Sequence, residues 1–236
     1  MSKGILWSFG DSFTAGNAKV MGHGVQYPFM NTIGKKRAYP HLIAHELSMT
    51  SVNLAVGGSD NNTIFEQVVN AYPNMDKERD CAIIALSTPF RGNPNRSEQE
   101  VLRDLNVILS NLETLLHGHT YIITSAFCPL IPAFFNPKDL NYTVKNYVEW
   151  GKHYNTLIDI CCGTWLRETS IDIINSDKYL SDYDLSEYIK TSGNLEMCGH
   201  PNNKGHDLIA KTLLPYLQKW IHKRDEEQKN RDEKYI

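Results

Sequence analysis

Apolar positions along this chain fall into two patterns that take turns, short unbroken runs and longer stretches repeating every three or four residues. The first run, "GILWSF", predicts a strand that ends in the turn "GDS". "AYPHLIAHELSM" spaces Leu42, Ile43, Leu47 and Met49 along one helical face, and "SVNLAV" predicts a second strand closed by Gly57 and Gly58. "NNTIFEQVVNAY" reads as a helix with Ile64, Val68, Val69 and Tyr72 on one side. "CAIIALS" is apolar throughout, as in a strand covered on both faces. "SEQEVLRDLNVILSNLETLLHG" opens on a capping box, Ser97 with Glu100, and keeps a helical period up to Gly118. "TYIITSAF" predicts a fourth strand, and the stretch from Asp139 to Cys162 is helical in period, interrupted by Gly151. Loop and short helix are expected between Thr164 and Glu196. A last helix begins near Asn203, with Pro215 expected to kink or interrupt it.

Strand–helix alternation of this kind predicts an α/β fold, a parallel sheet with helices on both faces. In such sheets ligands bind at the carboxyl ends of the strands. Ser12, the Gly57–Gly58 pair and Ser87–Thr88 each follow a predicted strand and are therefore expected along one edge. A chain of 236 residues is expected to form one domain over 1–222. Residues 223–236 balance five basic against five acidic side chains and are expected to be a helical extension or a tail.

Composition narrows the function by exclusion. A formal charge of −3, from 24 Lys and Arg against 27 Asp and Glu, gives no basic surface for nucleic acid. No run approaches the roughly 20 apolar residues of a membrane span, and the N-terminal run is too short for a signal peptide, so a cytoplasmic location is expected. Five cysteines in an odd, unpaired arrangement read as free thiols, and no histidine or cysteine spacing suggests a metal. No cofactor is expected. The oligomeric state is not indicated.

"GDSFTAG" has two readings, a helix-capping turn or a turn that presents Ser12 as a nucleophile. A third, a phosphate cradle, lacks the lysine and glycine spacing of a P-loop. "CGHPNNKGH" places His200 in a loop just ahead of a helix, where proline disfavours helical geometry at the histidine. A loop histidine is commonly structural. Paired with Ser12, it supplies the base that a serine nucleophile requires. Cys198, two residues away, reads as a core thiol in preference to a nucleophile, and His206 as a packing or capping residue.

"FGDSFTAG" and "HPNNKGH" resemble the first and last blocks of the SGNH-hydrolase (GDSL esterase/lipase) superfamily. That resemblance implies a flavodoxin-like, three-layer α/β/α fold with the site on the carboxyl edge of the sheet. It implies Ser12 as nucleophile with its own N–H in the oxyanion hole, His200 as general base and acid, and, through "VNLAVGGSDNN", the Gly58 N–H as a second donor. Two blocks depart from the pattern. Where the family carries Gly-x-Asn-Asp, this chain reads "ALSTPFRGNPN", leaving Ser87, Thr88 or Arg91 as candidate oxyanion donors, with Arg91 also placed to attract an anionic group; Asn93 and Asn95 are displaced. Where the family places the triad Asp, this chain has Met197, and Glu196, Asp182 or Asp184 would have to serve. The resemblance thus implies ester hydrolysis by a Ser–His dyad or incomplete triad. The expected substrate is a short acyl ester, such as acetyl, of a carbohydrate or similar small molecule. The alternatives are a lysophospholipase, thioesterase or acyltransferase of the same fold, or a catalytically weakened binding or structural protein.

Overall fold

In the computed structural model the described residues are 4–16, 37–87, 91, 97–125, 157–162, 193–194 and 200–233. Four strands, β1 (Ile5–Phe9), β2 (Thr50–Asn53), β3 (Cys81–Leu86) and β4 (Thr120–Ser125), form one sheet in the order β2-β1-β3-β4. Every pairing is parallel; Trp7, for example, lies opposite Val52 on one side and Ala82 on the other. The chain leaves β1 for β2 on one flank and returns to β3 on the other. This reversal opens a crevice beyond the carboxyl end of β1.

Strand alternation divides the core into two layers. Leu6, Cys81, Ile83, Ala85 and Ile122 face α2 (Tyr39–Glu46), α5 (Leu157–Cys162) and α6 (Asn203–Glu233). Trp7, Phe9, Ala82, Ile84, Leu86 and Ile123 face α3 (Asn61–Ala71) and α4 (Glu98–Leu115). The result is a three-layer α/β/α arrangement. All six residues of β3 are buried, as a strand covered on both faces requires. Ser97 caps α4 and the capping box forms with Glu100.

The second strand is shorter than its apolar pattern predicts. Pairing stops at Asn53, and Leu54 and Val56 emerge exposed on the loop towards Gly57. On α3, Ile64 and Val68 are buried a full turn apart, whereas Val69 is 42% exposed, because its position is turned about 100° from that of Val68. Pro215 does not interrupt α6. The helix runs through it and on through the charged segment to Glu233, with Pro215 on the solvent side. Along that segment Lys223–Glu227 and Lys229–Glu233 form i,i+4 pairs. Among the described residues no helix is long and apolar enough to cross a membrane.

Candidate active site

The turn after β1 is held from several directions. A Cβ at Gly10 would stand 2.5 Å from Thr14 Oγ1 and 3.1 Å from the Ala85 carbonyl, so the turn can close only around glycine. The buried Asp11 carboxylate caps the four-residue helix α1 (Ser12–Ala15) by accepting the Phe13 N–H at 3.0 Å. Gln67, on α3, accepts the Gly10 N–H at 3.0 Å and donates to the Gly10 carbonyl at 3.3 Å and to Ser59 Oγ at 3.1 Å. Asn53 donates to the Thr14 carbonyl at 2.7 Å, and the Thr14 hydroxyl shares a 2.9 Å hydrogen bond with Tyr39. The backbone groups of this tight turn are thus satisfied by side chains from β2 and α3, and Ser12 is held in one place.

His200 approaches from the other end of the chain. Its Nε2 lies 2.8 Å from Ser12 Oγ, across 188 residues of sequence. With Nε2 unprotonated, the serine donates to the imidazole. The His200 ring packs on Phe13 at 4.9 Å between centroids. Behind it, Asn202 accepts the Gly205 N–H at 3.0 Å and so caps α6, fixing where the loop ends. Gly205 admits no side chain, since a Cβ there would run into the Asn194 carbonyl.

His206, one turn into α6, is a packing residue. Its Nδ1 accepts the Tyr39 N–H at 3.3 Å and its ring stacks on Tyr39. Burial first, and the charge of His200 second, lower its pKa to about 4. It therefore stays neutral while a neighbouring imidazole gains and loses a proton. The buried Tyr39 hydroxyl is pushed above its ordinary range by desolvation.

Gly58 adopts φ +87°, a conformation that favours glycine, and a Cβ at Gly57 would lie 3.7 Å from Ser12 Cβ. The Gly57–Gly58 peptide therefore runs beside the serine. Ser87 is placed otherwise than an oxyanion donor would be. Its hydroxyl donates to Asp11 Oδ2 at 2.9 Å and its N–H to Asn61 Oδ1 at 2.7 Å, so both donors are already engaged. Arg91 lies with Nη2 3.6 Å from Asp11 Oδ2, its side chain 31% exposed. Burial raises the Asp11 pKa, opposed by Arg91, by the Phe13 N–H and Ser87 hydrogen bonds, and by the charge of His200. Thr88, Asn93, Asn95, Asp182, Asp184, Glu196, Met197 and Cys198 lie outside the described residues. Among the described residues no group of three or more His, Cys, Asp or Glu side chains is placed to hold a metal.

Gln67, Asn61 and Asn53 are site residues that sequence reasoning missed. Nothing in their local spacing marks them: Asn53 lies in a strand, and Asn61 and Gln67 lie in a helix, as many polar residues do.

A serine in hydrogen bond with a histidine, at the carboxyl edge of a parallel three-layer sheet, is a geometry suited to nucleophilic catalysis. The chain belongs to the GDSL-like lipase/acylhydrolase family, whose model matches residues 6–213. No curated protein matches it in sequence. Among solved structures it is similar to a protein assigned to the lipolytic G-D-S-L family from Desulfitobacterium hafniense DCB-2, at 11% identity and TM-score 0.51, covering 90% of this chain and 98% of that one. It is also similar to a carbohydrate esterase whose active site has divergent catalytic and non-catalytic binding functions, at 11% identity and TM-score 0.50, covering 92% and 69%. The acetylxylan esterase Axe2 from Geobacillus stearothermophilus is another similar structure, at 14% identity and TM-score 0.48, covering 91% and 93%. At these identities the likeness to the first two shows the fold alone.

Proposed function

We propose that this chain is a serine ester hydrolase working through an acyl-Ser12 intermediate. The observation that carries the proposal is the 2.8 Å contact between Ser12 Oγ and His200 Nε2. His200 takes the serine proton as Oγ bonds to the ester carbonyl carbon, and the negative charge goes to the carbonyl oxygen. The Ser12 and Gly58 N–H groups are the backbone donors for that oxygen, each worth about 3 kcal/mol of barrier in comparable sites. Collapse of the tetrahedral species breaks the bond to the alcohol, which leaves with the proton from His200. Water then attacks the acyl-serine with His200 again as base, releasing the carboxylic acid and restoring Ser12. Neutral His206 behind α2 does not compete for the proton.

The substrate in this reading is a small ester, an acetyl group on a carbohydrate or similar alcohol. Ser12 exposes only 8% of its surface, which favours a short acyl group, and Gly57, Gly58, Ser59 and Asp60 give the neighbouring loop a polar, small-residue character. Engagement of both Ser87 donors favours a second reading, a weakened site that binds without turnover. Fluorophosphonate labelling of wild type, Ser12→Ala and His200→Ala separates the two. Capture at Ser12 that depends on His200, with p-nitrophenyl acetate cleaved faster than longer esters, supports the hydrolase. No capture by a folded wild type refutes it in favour of the binding protein.

A further inference from the structure

The third-block segment leaves one donor group unexplained. Arg91 carries five N–H donors on a side chain about two-thirds buried, yet among the described residues it donates no hydrogen bond. Its near neighbour is Asp11, at 3.6 Å, too far for a hydrogen bond and close enough for a charge pair. Each Asp11 oxygen already accepts one hydrogen bond, Oδ1 from the Phe13 N–H and Oδ2 from the Ser87 hydroxyl. One carboxylate therefore ties together the helix that begins with Ser12, the end of β3, and a guanidinium with donors to spare. A surface arginine with no role would be freely solvated. Arg91 instead lies half-buried beside the carboxylate of the residue that precedes Ser12.

We propose that Arg91 is the side-chain donor of the oxyanion hole and that Asp11 is the positioning residue that holds its guanidinium there. The inference rests on the ester-hydrolase reading and adds to it a donor for the segment where the resemblance would put an amide and this chain reads Ser87-Thr88-Pro89. Ser87, whose hydroxyl and N–H are both engaged, acts only by fixing Asp11. A cation at this position binds the oxygen more strongly as it gains charge, so its effect falls on the transition state more than on the bound ester.

The test compares wild type with Arg91→Ala, Arg91→Lys, Asp11→Asn and the double variant Asp11→Asn/Arg91→Ala. It reads kcat and KM on p-nitrophenyl acetate together with the rate of fluorophosphonate capture at Ser12. Asn at position 11 can still accept the Phe13 N–H through Oδ1, while its Nδ2 donates to Ser87 Oγ, so that variant removes the charge and keeps the cap. Arg91→Ala is expected to lower kcat about 10²- to 10³-fold with KM within about threefold. Arg91→Lys and millimolar guanidinium added to Arg91→Ala should each recover part of the loss. Asp11→Asn should lower kcat about tenfold in the wild-type background and less than about twofold once Arg91 is gone. Wild-type kcat in Arg91→Ala overturns the inference while leaving the hydrolase reading intact, and multiplying effects of the two substitutions overturn the role given to Asp11. Absence of capture in wild type overturns both readings together.

Discussion

His206 should make the fold sensitive to mild acid. In the folded chain its pKa is lowered to about 4, chiefly by burial between α2 and α6 and then by the charge of His200, whereas in the unfolded chain it returns to about 6.5. Both states hold the imidazole neutral above pH 7, and there is no pH term. As pH falls through 6.5 the unfolded chain takes up a proton that the folded chain refuses, so stability is lost with falling pH until the folded site itself protonates near 4. The loss amounts to about 2 kcal/mol at pH 5 and approaches about 3 kcal/mol at lower pH, from about 1.4 kcal/mol per pH unit of difference. The assay is urea unfolding of wild type and His206→Gln at pH 7.5 and pH 5. Glutamine can still accept the Tyr39 N–H but does not titrate. Whatever its stability at pH 7.5, the variant should lose about 2 kcal/mol less than wild type on going to pH 5. Equal losses in the two proteins would refute the reasoning and move the acid sensitivity to other groups.

Two further outcomes follow from the scaffold. Gln67→Leu leaves the buried Gly10 N–H without its acceptor, which should cost about 1–3 kcal/mol in urea unfolding. It should also lower kcat about tenfold by loosening the turn that carries Ser12; unchanged kcat would mean that the other ties hold the turn unaided. Pro215→Ala restores an N–H that can donate to the Lys211 carbonyl inside α6, at a position on the solvent side. The melting temperature should rise by about 3 °C or more; a fall would mean that the proline shapes the packing of α6 on the sheet.

The local pattern of the chain was sufficient for its elements and for the two residues proposed to carry its chemistry. The unbroken run at Cys81–Leu86, the capping box at Ser97 and the Gly-Asp-Ser turn each rest on interactions within a few residues, which sequence spacing reports directly. Ser12 and His200 were legible for the same reason: a turn after a strand and a proline-marked loop before a helix are local facts. Where apolar periodicity was ambiguous by one position, as at Val69, the sequence could not say which of two neighbours faced inward.

What only the tertiary structure decided is how polar side chains are spent. Ser87 reads as a free hydroxyl in sequence, yet it donates to Asp11, 76 residues away, and its N–H goes to Asn61. Gln67 is an unremarked helix residue until the sheet brings it against Gly10. His206 has no distinguishing mark beyond its helix, and its lowered pKa exists only because α2 closes over it. The physical reason is common to all three. A backbone pattern is set by near neighbours and by burial on average, whereas a hydrogen bond or a desolvated charge depends on a particular partner that the folded sheet alone brings within 3 Å.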